Sequence, residues 1–369
     1  MKLRERIRSI PYYVRYILIL FLATRVILSI IGVRSRQLME PYVPYYRHWI
    51  FTDNKWLDIW GIFDSAWYMK IASVWYPDVF IPGRSQHAFF PLYPILVKWA
   101  GKIFDSHFLG GIIVSNIFLI VTGIFLYKLV RMEHDEEKAL RSVKYLFVFP
   151  SAFILSAFFP QSLLLALVIM CIYFAKRRRW LYCGATGFLS SLAHPVGAVI
   201  VLPALYEYLK LENHKVKRSV LHLFLIPLGP LIFCIYNYVY TGNFFAYVDA
   251  QVTGWGARVI NPLILLRAAF SVFDAYLTFF IVVTTVLLLF SSRRVGFSLW
   301  LSGLLFMAAA LVCGNIRSIM RYMLQVFPIY IVLADIGRNR YLDQAITFAF
   351  ILLQGALMVF WSSGFFYLM

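Results

Sequence analysis

The sequence predicts an all-α polytopic membrane protein. Three observations carry this: the composition, the recurrence of apolar runs, and the placement of basic residues between them. The chain is 62% hydrophobic and only 14% charged over 369 residues, with a mean hydropathy of +0.75. Soluble domains carry about a quarter of their residues charged, so the deficit is too large to be explained by a big core. Apolar runs recur from Arg15 onward, with lengths near the ~20 residues a helix needs to cross a bilayer. Tryptophans and tyrosines gather near the ends of these runs, where amphipathic rings anchor at headgroups.

The first span is expected over 16–33. Its basic, then apolar, beginning has no small-residue cleavage site after Val33, so it reads as an uncleaved span. A long polar and aromatic stretch follows over 34–108, containing MEPYVPYYRHW and FDSAWYMKIASVWYPD. Further spans are expected over 109–130, 145–159, 161–175, 180–193, 196–209, 220–240, 272–290, 296–313, 322–337 and 342–361. The four between 145 and 209 are short, broken at Phe159-Pro160-Gln161 and Ala193-His194-Pro195, and suit turns buried within protein. The segment 88–104 holds two prolines and two lysines and is expected to lie at the interface rather than to cross.

The formal charge of +18 does not call for nucleic acid. If the clusters Lys2–Arg15, Arg131–Lys144, Lys176–Arg179, Lys210–Arg218, Arg293-Arg294 and Arg338–Arg340 are cytoplasmic, they hold 21 of the 35 basic residues. That is the positive-inside pattern. With a cytoplasmic N-terminus, about 11 crossings then leave 34–108, 241–267 and 314–321 outside. The expected architecture is a single domain over 1–369, in the plasma membrane. Its first extracytoplasmic loop (34–108) is elaborated with interfacial helices, and a second loop covers 241–267. Cys171, Cys183, Cys234 and Cys313 lie inside apolar runs without metal-ligand spacing and read as packing residues.

Several residues outside this pattern are candidates for chemistry. Asp64, Trp67, Tyr68 and Ile71 stand at i, i+3, i+4 and i+7 on one helical face. A carboxylate beside two aromatics at a membrane surface suits a general base over a sugar ring, but Asp is also a favoured N-cap. Spacing leaves both roles open. Arg317 and Arg321 on the outer side run against the charge bias, and a lipid phosphate or pyrophosphate would account for them; plain headgroup anchoring would too. Arg258 and His87 invite the same phosphate reading, a structural role being the alternative for His87. Arg25 lies mid-span and must face the bundle interior with a partner, while Asp135-Glu136-Glu137 reads as a solvated run. There is no Walker loop, Rossmann glycine fingerprint, metal-ligand cluster or paired outer D-x-D, which counts against an ATPase and a metal-clamped nucleotide-sugar enzyme. No cofactor is called for.

Taken in order, the motifs carry a resemblance. FDSAWYMKIASVWY followed by QHAFFPLYPIL resembles the signature of the second mannosyltransferase of GPI-anchor assembly and its bacterial and archaeal relatives. FPSAFILSAFFPQSLLL, SSLAHPVGAVIVLPALYEYL, TGNFFAYVDAQVTGWGAR and SIMRYMLQVFPIY are similar to later motifs of that family. The matches run from Phe63 to Tyr330. Phe63 replaces a usual Trp, His194 a common Arg, and Gln161 a common Glu. The resemblance implies a GT-C-type glycosyltransferase with its catalytic aspartate in the first outer loop, which here is Asp64. It further implies mannose as the sugar. Because nucleotide sugars are cytoplasmic, transfer outside needs a sugar on polyprenyl phosphate. Asp64 is then the base of an inverting transfer, and Arg321, with Arg317, Arg258 and His87 behind it, meets the leaving phosphate. Trp67, Tyr68, Gln251 and Trp255 are expected sugar contacts. The partners are a lipid-linked donor, membrane lipids, and a glycan, lipid or protein acceptor, with no nucleic acid. A lipid-linked-sugar transporter and a non-catalytic envelope subunit are the competing classes; neither requires Asp64.

Overall fold

A computed structural model describes residues 10–39, 50–83, 85–256, 275–292, 294–312 and 318–364. Helices and turns make up this structure, and no strand occurs among the described residues. The first helix, α1 (Tyr12–Leu38), is 27 residues long, about 40 Å at 1.5 Å per residue. One side exposes Ile19, Leu22, Val26 and Ile30, while Ile17, Leu28 and Gly32 are buried. A Cβ at Gly32 would stand 2.6 Å from Met358 Cε, so the glycine permits close approach of the last helix. Within membranes, small residues at such crossings let dispersion contacts do the packing.

The first loop contains a one-turn helix (Lys55–Asp58) and α2 (Ser65–Val74). A 3-10 turn (Gln86–Ala88) then leads to α3 (Leu92–Phe104). At 13 residues, α3 spans about 20 Å, too short for a bilayer core, and Pro94 is accommodated in its first turn. Next come α4 (His107–Val130), whose N-cap Ser106 accepts from the Leu109 N–H at 3.2 Å, and α5 (Glu136–Val148). The acidic run at the start of α5 is exposed, as expected; Asp135 caps the helix through the Lys138 N–H at 2.7 Å, and Glu137 pairs with Arg141.

Beyond a 3-10 turn (Ala152–Ser156) lies α6 (Gln161–Lys176), whose residues are buried on every side, including Leu163, Leu165, Val168 and Ile172. A helix apolar all round belongs in a core, and α6 packs between α4 and α7 (Trp180–Ala193). The chain continues through a 3-10 turn (Pro195–Ile200) into α8 (Val201–Leu211), then a 3-10 segment (Arg218–Leu225) into α9 (Leu228–Thr241). The second loop holds α10 (Ala246–Trp255). The last elements are α11 (Ala275–Ser291), α12 (Phe297–Val312), α13 (Ile319–Met323), α14 (Pro328–Ile336) and α15 (Arg340–Ser362).

Three described helices, α1, α4 and α15, are individually long and apolar enough to cross a membrane; the 3-10 segment and α9, bent by 49°, qualify as a pair. Several expected spans are therefore not single helices. The run 145–159 divides into the end of α5, an interruption at Phe149-Pro150 and a 3-10 turn. The run 322–337 is split between α13 and α14 at Pro328, and 220–240 bends around Pro227. In each case a proline removes an i→i−4 hydrogen bond that the apolar run length does not register.

Arg25 finds its partners in one of these breaks. Its Nε donates to Ser156 Oγ at 2.6 Å and its Nη2 to the Ala152 carbonyl at 3.0 Å, while its guanidinium faces the Phe147 ring. The interrupted segment supplies the acceptors that an unbroken helix would have used internally. Cys171 and Cys183 are buried free thiols 3.6 Å apart between α6 and α7, and Cys234 is part-exposed. Cys313 lies outside the described residues.

Candidate active site

The corner before Asp64 is unusually constrained. Phe63 has φ +52°, a left-handed conformation that costs a non-glycine residue energy and collects near functional sites. Three bonds hold it. The Ser65 hydroxyl accepts the Ile62 N–H (3.1 Å) and donates to the Phe158 carbonyl (3.3 Å), and the Phe158 N–H donates to Trp60 O (2.9 Å). Trp361 of α15, fully buried, donates its indole N–H to Ile59 O at 2.9 Å and packs edge-on against Phe63. Upstream, Arg36 of α1 pairs with Asp58 and also donates to Ser362 O. Asp58 in turn accepts the Phe51 and Thr52 N–H groups. Both long end helices thus hold the first loop.

Asp64 occupies the N-cap position of α2 but makes no capping bond. Its Oδ2 instead meets Arg321 Nη1 at 2.6 Å, with both side chains 13% exposed. The two residues are 257 positions apart in sequence. Arg321 Nη2 donates to Ser318 Oγ at 3.2 Å, Nε has no partner among the described residues, and the guanidinium lies against Phe159 and Tyr322. The geometry removes the capping role that spacing alone allowed and joins two residues singled out separately.

The aromatic residues cluster around this pair. Trp67 packs against Phe89 and, edge-on at 5.5 Å, against Trp255 of α10. Tyr68 is buried among Phe89, Tyr93 and Phe159, and that burial pushes its phenol well above the ordinary range, with Arg321 opposing. Gln251 Nε2 donates to Ala88 O at 2.9 Å, and Thr253 Oγ1 accepts the Gly83 N–H at 2.8 Å, docking α10 onto the first loop. Asp64, Trp67, Tyr68, Gln251, Trp255 and Arg321 therefore converge.

His87 lies deeper than the phosphate reading expects. It has no exposed surface, bonds through Nδ1 to Asn237 at 2.9 Å and packs against Tyr76 and Phe80. Burial lowers its pKa, with Asn237 and the Pro77 carbonyl opposing. In this position His87 ties the first loop to α9, and its Nε2 is buried without a partner among the described residues. Arg258 and Arg317 lie outside the described residues.

A small pocket of about 40 Å³ adjoins the pair through Tyr322. Its polar wall includes His194, Gln251, Tyr322 and Gln325; Phe306 and Ala310 of α12 give it an apolar side. Gln325 and Tyr322 are functional candidates that the sequence reading missed. The available signal was an amide inside an apolar run, four residues after Arg321.

Comparison with known proteins agrees on architecture. A family model described as dolichyl-phosphate-mannose-protein mannosyltransferase matches residues 86–237. Among solved structures, ArnT from Cupriavidus metallidurans bound to undecaprenyl phosphate is similar over 92% of this chain and 64% of that one. The identity is 12% and the TM-score 0.55. The archaeal oligosaccharyltransferase AglB from Archaeoglobus fulgidus, in complex with an inhibitory peptide and a dolichol-phosphate, covers 94% and 55%, at 17% identity and TM-score 0.46. The apo form of the Archaeoglobus fulgidus oligosaccharyltransferase covers 94% and 55%, at 16% identity and TM-score 0.47. The fold is of the GT-C type. The chain spans under two thirds of the length of these structures. No curated protein sequence matches it.

Proposed function

We propose that this protein is an inverting glycosyltransferase that moves a sugar from a polyprenyl-phosphate donor to an acceptor hydroxyl on the extracytoplasmic side of the plasma membrane. The observation that carries the reading is the Asp64–Arg321 contact beside a pocket: a base and a phosphate-matching cation within one site. In the reaction, Asp64 takes the proton of the acceptor hydroxyl as its oxygen attacks the anomeric carbon. The bond from that carbon to the phosphate oxygen breaks, and polyprenyl phosphate leaves with the electron pair. Phosphate departs without a second carboxylic acid, but a preorganised cation stabilises the charge that develops. Arg321 takes this role, and its Nε, without a partner among the described residues, is a further donor. Arg317 and Arg258 are the further cations of the proposal.

Trp67 and Trp255 provide aromatic faces for the sugar ring and Gln251 an amide, with Tyr68 behind them. The ordered motifs shared with the second mannosyltransferase of GPI-anchor assembly favour mannose, and the match to a mannosyltransferase family model supports that choice. A cytoplasmic N-terminus and an extracytoplasmic site follow from the positive-inside distribution of the basic clusters. The acceptor is a glycolipid, an envelope polymer or a glycoprotein.

The test is transfer from synthetic polyprenyl-phosphate mannose by purified wild type and Asp64→Asn in nanodiscs. Turnover by wild type and its loss in a folded Asp64→Asn variant are the expected results. Equal turnover by both removes Asp64 from the mechanism. Donor binding and translocation without turnover in either would instead identify a lipid-linked-sugar transporter.

A further inference from the structure

The pocket wall beside the Asp64–Arg321 pair is polar, yet none of the described residues lining it carries a full charge at neutral pH. Two of its groups have fixed and complementary hydrogen-bonding senses. His194, in the turn between α7 and α8, accepts the Val196 N–H at Nδ1 (3.3 Å) and so caps the following 3-10 turn. A neutral imidazole that accepts at Nδ1 carries its proton on Nε2. Burial, reinforced by the charge of Arg321, lowers the His194 pKa to about 3 and keeps the ring neutral. Nε2 is therefore a donor.

Gln325 has the opposite sense. It is 1% exposed, and its Nε2 donates to the main-chain oxygen of Gln161 at 3.1 Å. That bond orients the amide, because only the NH₂ group can donate to a carbonyl. The other end, Oε1, is buried without a partner among the described residues. Buried acceptors are normally satisfied, and this one belongs to a side chain lining the pocket.

We infer that His194 and Gln325 form a hydroxyl-binding subsite, His194 Nε2–H donating to the sugar's hydroxyls and Gln325 Oε1 accepting from them. This rests on the transferase reading above. A hydroxyl both accepts and donates; an ammonium only donates, and a carboxylate only accepts. The pocket is accordingly selective for an uncharged hexose against an aminosugar cation or a uronate, neither of which meets a counter-charge among the described wall residues. Gln325 and His194 are specificity residues, distinct in role from Asp64.

The experiment measures affinity rather than turnover, using the full chain in nanodiscs. The probes are synthetic polyprenyl phosphate alone and the same lipid bearing a neutral hexose (mannose, glucose or galactose), glucosamine or glucuronate. At least one neutral hexosyl lipid is expected to bind more tightly than the bare lipid and both charged-sugar lipids. His194→Phe and Gln325→Leu should each weaken that hexosyl lipid about tenfold. Unchanged affinity for the bare lipid identifies the variants that remain folded. Unchanged hexosyl affinity in both variants, or charged-sugar lipids binding as tightly as the hexosyl ones, overturns the inference. Failure of the transferase reading is separate: it appears as Asp64→Asn transferring sugar at the wild-type rate.

Discussion

The Asp64–Arg321 pair makes a quantitative prediction through a double-mutant cycle of Asp64→Asn and Arg321→Gln. Opposite charges about 4 Å apart attract by about 4 kcal/mol at an effective dielectric of ~20, much of it spent on desolvation. Removing one member of a fully buried pair costs about 3–5 kcal/mol because it strands a charge. With both side chains 13% exposed, each single substitution should cost about 2–3 kcal/mol by the same principle. The double variant removes both charges together and should cost about 1–3 kcal/mol less than the two single losses added together, which is the coupling energy. Unfolding midpoints in detergent read the stability; sugar transfer, read in parallel, should fall at least about a hundredfold in all three variants. Recovered stability without recovered activity separates holding the loop from doing the chemistry. Single costs that simply add in the double variant would mean that the pair contributes nothing, and the reasoning would fail.

Three further predictions follow from the packing. Trp361→Phe deletes the indole bond to Ile59 O and should cost about 1 kcal/mol, with transfer falling more than stability because the corner before Asp64 loosens; equal transfer would show the corner to be held elsewhere. Gly111→Ala introduces a Cβ 2.1 Å from Phe158 Cε2, an overpacking of about 1–3 kcal/mol, and should lower the unfolding midpoint and transfer together. His87 and His194 are both held below the ordinary 6.5, His194 at about 3. The unfolded chain therefore binds more protons between those values and 6.5, so stability is full above pH 6.5 and declines as pH falls below it. Unfolding midpoints between pH 7 and 5 should show this decline, with a shallower slope in His194→Gln.

The long elements were legible in the sequence because a lipid-facing helix has little choice: α1, α4 and α15 coincide with the longest apolar runs. The broken elements were not, since hydropathy counts apolar residues without registering whether Pro150, Pro227 or Pro328 interrupts their hydrogen bonds. Asp64, Trp67 and Tyr68 could be read from helical spacing, and Arg321 from charge on an unexpected side. Their contact, 257 residues apart, is purely tertiary, and local signals do not encode it. The bond from His87 to Asn237 was hidden for the same reason: its neighbours in sequence say nothing of a partner 150 positions away. Gln325 sits in an apolar run, where window averaging hides a single amide.

The bond from Trp361 to Ile59 joins positions 302 residues apart, and this has a consequence for biosynthesis. A membrane chain is inserted from its N-terminus, so Asp64 emerges long before α15 arrives to hold the corner in front of it. The order of synthesis thus leaves the corner in front of Asp64 without its Trp361 bond during translation. The corner before Asp64 is complete only once α15 is in place.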